Sequence, residues 1–387
     1  MSACDWSRSQ IPRATKNVRF RIQSYTEEWN RAVAEFNRRV LPANAPFQVP
    51  ETPAPLWLPK RGDQKPYQEV FLLVEDDCVR GAYTFKHQEF SVGRCVLEVG
   101  MCRMPISEGV VDKRYSMVGP MLIKDALRRQ PMLYGLGIGN LEVVVARIVL
   151  SMGWRVIRVV PFFFKVRNGF QFLRNIQYLR TTRLRQWLLD AAAYTGLGWA
   201  GTRIADAVLT RNGHRAVTVE QVGEFSAWAD GVWQTCQSQY SMAAVRDARV
   251  LNILYPPDDI RFIRLKILDG RRVAGWAVLL DTVMADDKYF GNMRVGSIVD
   301  CLALPEDANT VMYAAARFLE DRGVDLLLSN QNHPAWCEGL KMAGFVEGPS
   351  NFFFVASKEL SKLLNEIDPA GTAIHLNRGD GDGPIHL

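Results

Sequence analysis

LYGLGIGNLEVVVARIVLSMGW, residues 133–154, and LLLSNQNHPAWCEGLKMAGF, residues 326–345, decide the fold. Each opens with an apolar run of strand length and passes through a Gly-rich or polar turn. Each then continues at helical spacing and stops at Gly plus an aromatic, Gly153-Trp154 and Gly344-Phe345. A short apolar run bounded by turn residues reads as a buried strand, and Gly after a helical pattern is a stop signal. The unit occurs once in each half of the chain, too far apart for a solenoid repeat, so it indicates a degenerate duplication of a whole domain.

The flanking sequence extends both copies. Tyr25–Val40 is a helix with Trp29, Val33, Phe36 and Val40 on one face, and 42–59 is a proline-rich loop. Glu69–Glu75, Val79–Lys86 and Val96–Met104 are strands, Pro120–Arg129 and Leu141–Met152 helices, and Trp154–Lys165 a further β-rich run. In the second half Val222–Gln237 is helical. Ile260–Leu268, Val273–Leu280 and Arg294–Ala303 are strands, with Asn309–Arg322 and Pro334–Ala343 as helices and Asn351–Ala356 as the last strand. The predicted fold is α/β: two tandem domains, each a mixed, mostly antiparallel sheet flanked by helices. The domains span 15–166 and 212–360, with a basic helical linker over 167–211 and a disordered tail over 361–387. The linker carries Phe170, Phe172, Arg174, Tyr178, Arg180, Arg183, Arg185 and Trp187. It reads as a packed linker helix or as a basic amphipathic segment, in which case 167–190 offers peripheral contact to a membrane.

The 387 residues fit about two domains at roughly 150 residues each. A formal net charge of +6 favours anionic ligands only mildly and does not by itself mark a nucleic-acid binder. Seven cysteines without CxxC spacing argue against a disulfide framework and a structural zinc site, and no metal is expected. Residues 1–10 lack an apolar signal region and no apolar run reaches about 18 residues, so a cytoplasmic protein is expected. Gly135, Gly137 and Gly139 have the wrong spacing for a dinucleotide fingerprint.

The element order, with a loop and helix after the third strand, resembles the GNAT superfamily of acyl-CoA-dependent N-acyltransferases. The family motif opens that helix with Arg or Gln, two residues, Gly, one residue, then Gly or Ala. Here the run is Arg114-Tyr115-Ser116-Met117-Val118-Gly119, with Met117 at the middle Gly. A helix N-terminus offers unpaired N–H groups and partial positive charge, and small residues let a pyrophosphate approach. The resemblance implies an acetyl-CoA or longer acyl-CoA co-substrate between the strand with Cys102 and Met104 and the strand 132–138. It also implies pyrophosphate contacts from Arg114, Ser116, Met117, Val118 and Gly119. The family's helical Tyr acid is replaced by Val149 and Leu340. The second half has Glu306 and Asp307 where the phosphate loop would lie, so only the first half is expected to hold CoA. VRDARVLNILYP, 245–256, with Arg246, Asp247, Leu251 and Tyr255, is similar to a segment of FemAB-like and polysaccharide-cluster acyltransferases.

Glu98 stands among apolar residues, where burial would raise its pKa and suit it as base for an amine. It reads equally as an outward-facing residue. Tyr115 is a candidate acid, and Tyr134 either an acid or a packing residue. Asp300 reads as structural, His333 as a helix cap, and His375 and His386 as tail residues without a catalytic role. The expected activity is transfer of an acyl group to a small-molecule amine, an amino sugar or cell-envelope precursor being the class the second resemblance implies. The alternatives are a FemAB-like transferase using aminoacyl-tRNA, the one case with a nucleic-acid partner, and an inactive acyl-CoA-binding module.

Overall fold

The computed structural model describes residues 20–43, 48–137, 139, 141–177 and 217–381. The first half runs β1 (Arg21–Ser24), α1 (Asn30–Val40), β2 (Tyr67–Glu75), β3 (Cys78–His87), β4 (Glu89–Val92), β5 (Cys95–Glu98) and β6 (Gly100–Ser107). Helix α2 (Val118–Arg129), β7 (Leu133–Leu136), α3 (Val144–Ser151), β8 (Arg155–Val159), β9 (Phe162–Val166) and α4 (Gly169–Asn175) complete it. The second half runs β10 (Thr218–Val222), α5 (Ala227–Cys236), β11 (Met242–Ala244), α6 (Ala248–Leu254), β12 (Ile263–Asp269), β13 (Arg272–Val283) and β14 (Arg294–Ala303). It continues with α7 (Ala308–Asp321), β15 (Leu326–Asn330), α8 (Pro334–Met342), β16 (Val346–Gly348), β17 (Phe353–Ala356), α9 (Lys358–Ile367) and β18 (Ile374–His375).

Strand alternation explains the layers. In β2, Val70, Leu72 and Val74 face Val33, Phe36 and Val40 of α1. The intervening Phe71 and Leu73 face Leu122, Ile123 and Ala126 of α2. A strand apolar on both sides must be covered on both sides. The second sheet follows the same rule. Leu265 and Ile267 pack with Val311 of α7 and Trp336 of α8, while Trp276, Val278 and Leu280 pack with Trp233, Leu251 and Leu254. Asp76 and Asp77 turn β2 into β3 at φ of 44° and 63°. Gly153 and Gly344 both end their helices at φ of 86°, the left-handed conformation that the paired Gly–aromatic signals imply.

Two tandem α/β units are present, but the divide near residue 166 is crossed twice. The first sheet has the order β1-β2-β3-β6-β7-β17-β8 and the second β10-β12-β13-β14-β15-β9-β16. Each half thus gives its closing strand to the other's sheet: β17 sits between β7 and β8, and β9 between β15 and β16. The strand expected over 96–104 is also two strands. It breaks at Val99, whose N–H donates to Gln88 O, so that β5 joins a small sheet ordered β18-β11-β4-β5 and β6 joins the large one. That small sheet draws strands from both halves.

The tail is the larger correction. Residues 361–381, expected to be disordered, hold most of α9, the strand β18 and a 3-10 turn at Arg378–Asp380 with a capping box at Asn377. Of the expected linker, Asn168 caps α4 and Phe172 stacks on Phe164 with ring centroids 6.5 Å apart. Residues 178–211 lie outside the described residues. Among the described residues no helix is long and apolar enough to cross a membrane.

Candidate functional site

Strands β6 and β7 run parallel but pair at only two positions, Gly100 with Leu133 and Met101 with Tyr134. Beyond them the strands part. The cause is local: opposite Tyr83 the register of β6 jumps, from Arg103 facing Thr84 to Ile106 facing Ala82, which places Met104 and Pro105 in a bulge. A bulge bends its strand, and proline has no N–H for the ladder. On its far side β7 stays bonded to β17 through Leu136, Gly135 and Tyr134. The result is a notch whose facing strand edges have no strand partner among the described residues. Such edges accept an extended ligand that carries amides. Cys102 is half-buried on β6 at the notch, and burial pushes its thiol up to about 12, so it stays a neutral thiol. The Met104 side chain lies outside the described residues.

The N-terminus of α2 lies at the outer end of β6, with Val118 against Gly81 beside the Ile106 carbonyl and Gly119 facing Ile148 of α3. Met117 occupies the cap position, without a side-chain cap bond, and is 63% exposed. Val118 and Gly119 form the first turn and Pro120 brings no donor. Ser116 closes the preceding 3-10 turn through its N–H to Lys113 O. Arg114 points to solvent and is held by Asp112, with Nη2 to Oδ2 at 2.6 Å. Tyr115 does not reach the notch. Its hydroxyl donates to Glu75 Oε2 at 3.1 Å, its ring lies under Arg80, and desolvation, then the Glu75 bond, raises its pKa. Three arginines around the turn are paired: Arg80 binds Glu75 and Glu108, Arg39 binds Glu108 and Arg114 binds Asp112.

Glu98 lies at the end of β5, just before the paired end of the notch. It accepts from Lys65 Nζ at 2.6 Å and lies 3.0 Å from His87 Nδ1. Half-burial works to raise its pKa, but Lys65 and His87 together outweigh it and the net direction is down. The rise expected from its apolar neighbours does not occur, because Lys65 from a loop and His87 from β3 bring donors to its carboxylate.

Directly across the sheet from Glu98's strand end lies a group that sequence reading missed. Lys86 of β3 pairs with Met101 and Met101 pairs with Tyr134, so these residues form one row across the apex of the notch on one sheet face. Lys86 is fully buried. Its Nζ donates to the backbone carbonyl of Asp380 at 3.2 Å and lies 5.2 Å from the Trp57 ring. The Tyr134 hydroxyl donates to the same Asp380 oxygen at 2.7 Å. Burial lowers the Lys86 pKa to about 7, with Asp380 opposing and Arg246 and Arg103 reinforcing the fall.

The matching gap in the second half is filled. There β14 and β15 pair at four positions, Val295 with Leu326 through Ile298 with Ser329. Past them the tail enters. Asn377 bridges Gln331, and Leu376 N donates to Asn332 Oδ1 at 2.7 Å. His375 lies between the rings of Tyr240 and Trp336, and its Nε2 donates to Cys301 O at 2.9 Å. Asp300 accepts from Arg246 Nε at 2.8 Å, Tyr255 Oη at 2.6 Å, Asn377 Nδ2 at 2.7 Å and Cys301 N at 2.9 Å. Arg246 also reaches Asp380 Oδ1 at 2.6 Å. Asp247 caps α6 by accepting from Val250 N, and Leu251 is buried. The 245–256 segment is therefore a buried clamp on the tail. His333 caps α8, accepting from Ala335 N, and burial drops its pKa to about 4. Val149 and Leu340 are core residues.

No protein-family model and no curated protein matches the chain by sequence. Solved structures resemble it at low identity. A conserved protein of Enterococcus faecalis, described as a probable N-acyltransferase, is 10% identical with a TM-score of 0.47, over 90% of this chain and 74% of that one. Saccharomyces cerevisiae N-myristoyltransferase with bound myristoyl-CoA is 11% identical with a TM-score of 0.49, over 92% and 86%. A tandem GNAT protein from the clavulanic acid biosynthesis pathway is 10% identical with a TM-score of 0.45, over 87% and 98%.

Proposed function

We propose that the chain is an acyl-CoA-dependent N-acyltransferase with one donor site, in the first half. The observation that carries this reading is the two-position contact between β6 and β7. It leaves a notch whose strand edges have no strand partner among the described residues, with a helix N-terminus near the outer end of β6. Acyl-CoA has the matching parts: an extended arm with two amides, a pyrophosphate and a terminal thioester. The arm adds to the edge of β6 past Cys102 and Met104. The pyrophosphate meets the N–H groups of Met117, Val118 and Gly119 and the Ser116 turn, where helix-end charge favours an anion. Arg114 helps once it leaves Asp112, so its contribution is small.

The thioester then lies near the apex, by Met101 and Tyr134. An acceptor amine attacks its carbonyl to form the C–N bond, and the resulting adduct collapses with cleavage of the C–S bond, with no acyl-enzyme intermediate. The acceptor class we favour is a small amine such as an amino sugar or cell-envelope precursor. Its support is the similarity of 245–256 to polysaccharide-cluster acyltransferases, a similarity weakened by the structural work those residues do.

Calorimetric titration with acetyl-CoA and longer acyl-CoAs tests the reading. One equivalent should bind, and Gly119→Asp, which sets a carboxylate against the phosphates, should abolish the heat. Equal binding by the variant would remove the loop from the site, and no binding of any acyl-CoA by the parent protein would remove the reading.

A further inference from the structure

Resting on that reading, we propose that Lys86 is the proton acceptor for the attacking amine. Lys86, Met101 and Tyr134 are register neighbours on three adjacent strands and share one sheet face. Side chains so placed stand about 5 Å apart. Lys86 therefore addresses the apex, the point where a thioester held in the notch ends.

Its surroundings give it a free lone pair. The charged groups that face it are Arg103, Arg246, Asp300 and Asp380. Both carboxylates are engaged elsewhere, Asp300 by its four donors and Asp380 by Arg246 and by Asn377 N at 2.9 Å. The bond Lys86 does make is to a backbone carbonyl, which a neutral amine makes as well as an ammonium does. Burial and two guanidinium neighbours oppose a third positive charge, and the resulting pKa of about 7 leaves much of the amine neutral near neutral pH. A base poised near the working pH transfers protons most effectively.

The other candidates are worse placed. Glu98 is tied to Lys65 and His87 and its pKa is lowered, and Tyr115 donates to Glu75 outside the notch. A small pocket lined by Gln48, Pro50, Val70, Thr84 and Ile106 lies on the same face of β3, two residues from Lys86, whose amine is itself enclosed by the Asp380 carbonyl and Trp57.

The step balances. A protonated acceptor R–NH3+ gives one proton to Lys86 and becomes R–NH2, whose lone pair forms the C–N bond. Collapse of the adduct expels the CoA thiolate. The thiolate takes the proton that the new amide nitrogen must lose, and Lys86 returns its own proton to solvent.

The test uses the full chain, the Lys86→Met variant and two acceptors. Ethylamine is an ammonium at pH 7, whereas hydroxylamine is already neutral. Both proteins should bind acetyl-CoA within about twofold by calorimetry. With ethylamine, the parent's kcat/KM should rise through pH 7 and level off, whereas Lys86→Met should lose that levelling, its rate simply following the free-amine fraction, and should lose about a hundredfold or more in rate at pH 7. With hydroxylamine the variant should keep most of the parent rate, a rescue that a merely structural role would not give. Equal losses with both amines, or an unchanged pH profile, would overturn the role of Lys86. Absence of acetyl-CoA binding by the parent would instead overturn the functional reading beneath it.

Discussion

The two halves open the same place in their sheets and treat it in opposite ways. In the first half, β6 and β7 separate after two pairs and the gap keeps its edges unpartnered among the described residues. In the second, β14 and β15 separate after four pairs, and residues 375–380 pack into the gap with their polar groups joined to Asp300, Arg246, Cys301 and Asn332. An opened sheet leaves backbone groups to be satisfied by ligand, water or protein. The second gap is closed by the chain itself, whereas the first leaves its strand edges without a strand partner among the described residues. The tail also joins the two: its Asp380 carbonyl takes hydrogen bonds from Lys86 and Tyr134 of the first half, and its side chain from Arg246 of the second.

The sharpest way to break this contrast is Asp300→Ala. It takes one of two carboxylate partners from Arg246, which is 3% exposed, and orphans the Tyr255 and Asn377 donors. Loss of one partner from a buried pair costs about 3–5 kcal/mol, to be read from urea unfolding. Acetyl-CoA stoichiometry should not change in the folded variant. A folded Asp300→Ala protein that no longer binds acetyl-CoA would show that the second gap belongs to the donor site.

Two pH effects separate the halves further. Lys86 has a folded pKa of about 7 against 10.5 when unfolded. Between those values the unfolded chain binds the extra proton, so stability rises with pH from 7 towards 10.5, by on the order of a few kcal/mol. Lys86→Met should flatten that rise and be the more stable protein at pH 7. His375 has a folded pKa of about 4 against 6.5. Its contribution is whole above pH 6.5 and is lost as pH falls towards 4, by at most about 1.4 kcal/mol per unit. Unfolding midpoints across pH 4–10 check both, and a flat curve in either window would remove that group's assignment.

Smaller effects sharpen the first notch. Arg114→Ala should weaken acetyl-CoA by tenfold at most, since its exposed guanidinium must first leave Asp112. A larger loss by calorimetry would make it a main phosphate ligand. Glu98→Gln should change turnover least, well under the roughly hundredfold that marks loss of a proton-transfer group. A collapse of kcat in that variant would return the base role to Glu98.

Much of this frame was legible in the sequence. The repeated Gly–aromatic stop, the α1 face of Trp29, Val33, Phe36 and Val40, and the His333 cap follow from local rules and hold in the structure. The strand exchange was not legible, because β9 and β17 have the same apolar character whichever sheet receives them. The tail was misread because a run rich in Gly and Asp looks solvated. The partner that buries Asp380 is Arg246, 134 residues away. Arg246, Asp247, Leu251 and Tyr255 stood out as a pattern, yet the pattern did not say that they clamp a tail. Lys86 left one trace: it follows Ala82 and Thr84 at alternate positions of a strand, which sets it on the same face as those small residues.

Hydrogen exchange of the full chain with and without acetyl-CoA tests the contrast most directly. Slower exchange in 100–107, 117–122 and 133–137, with 294–303 and 326–332 unchanged, is the result expected of one donor site in the open notch. Protection at 294–303 and 326–332, or in both gaps equally, would contradict it.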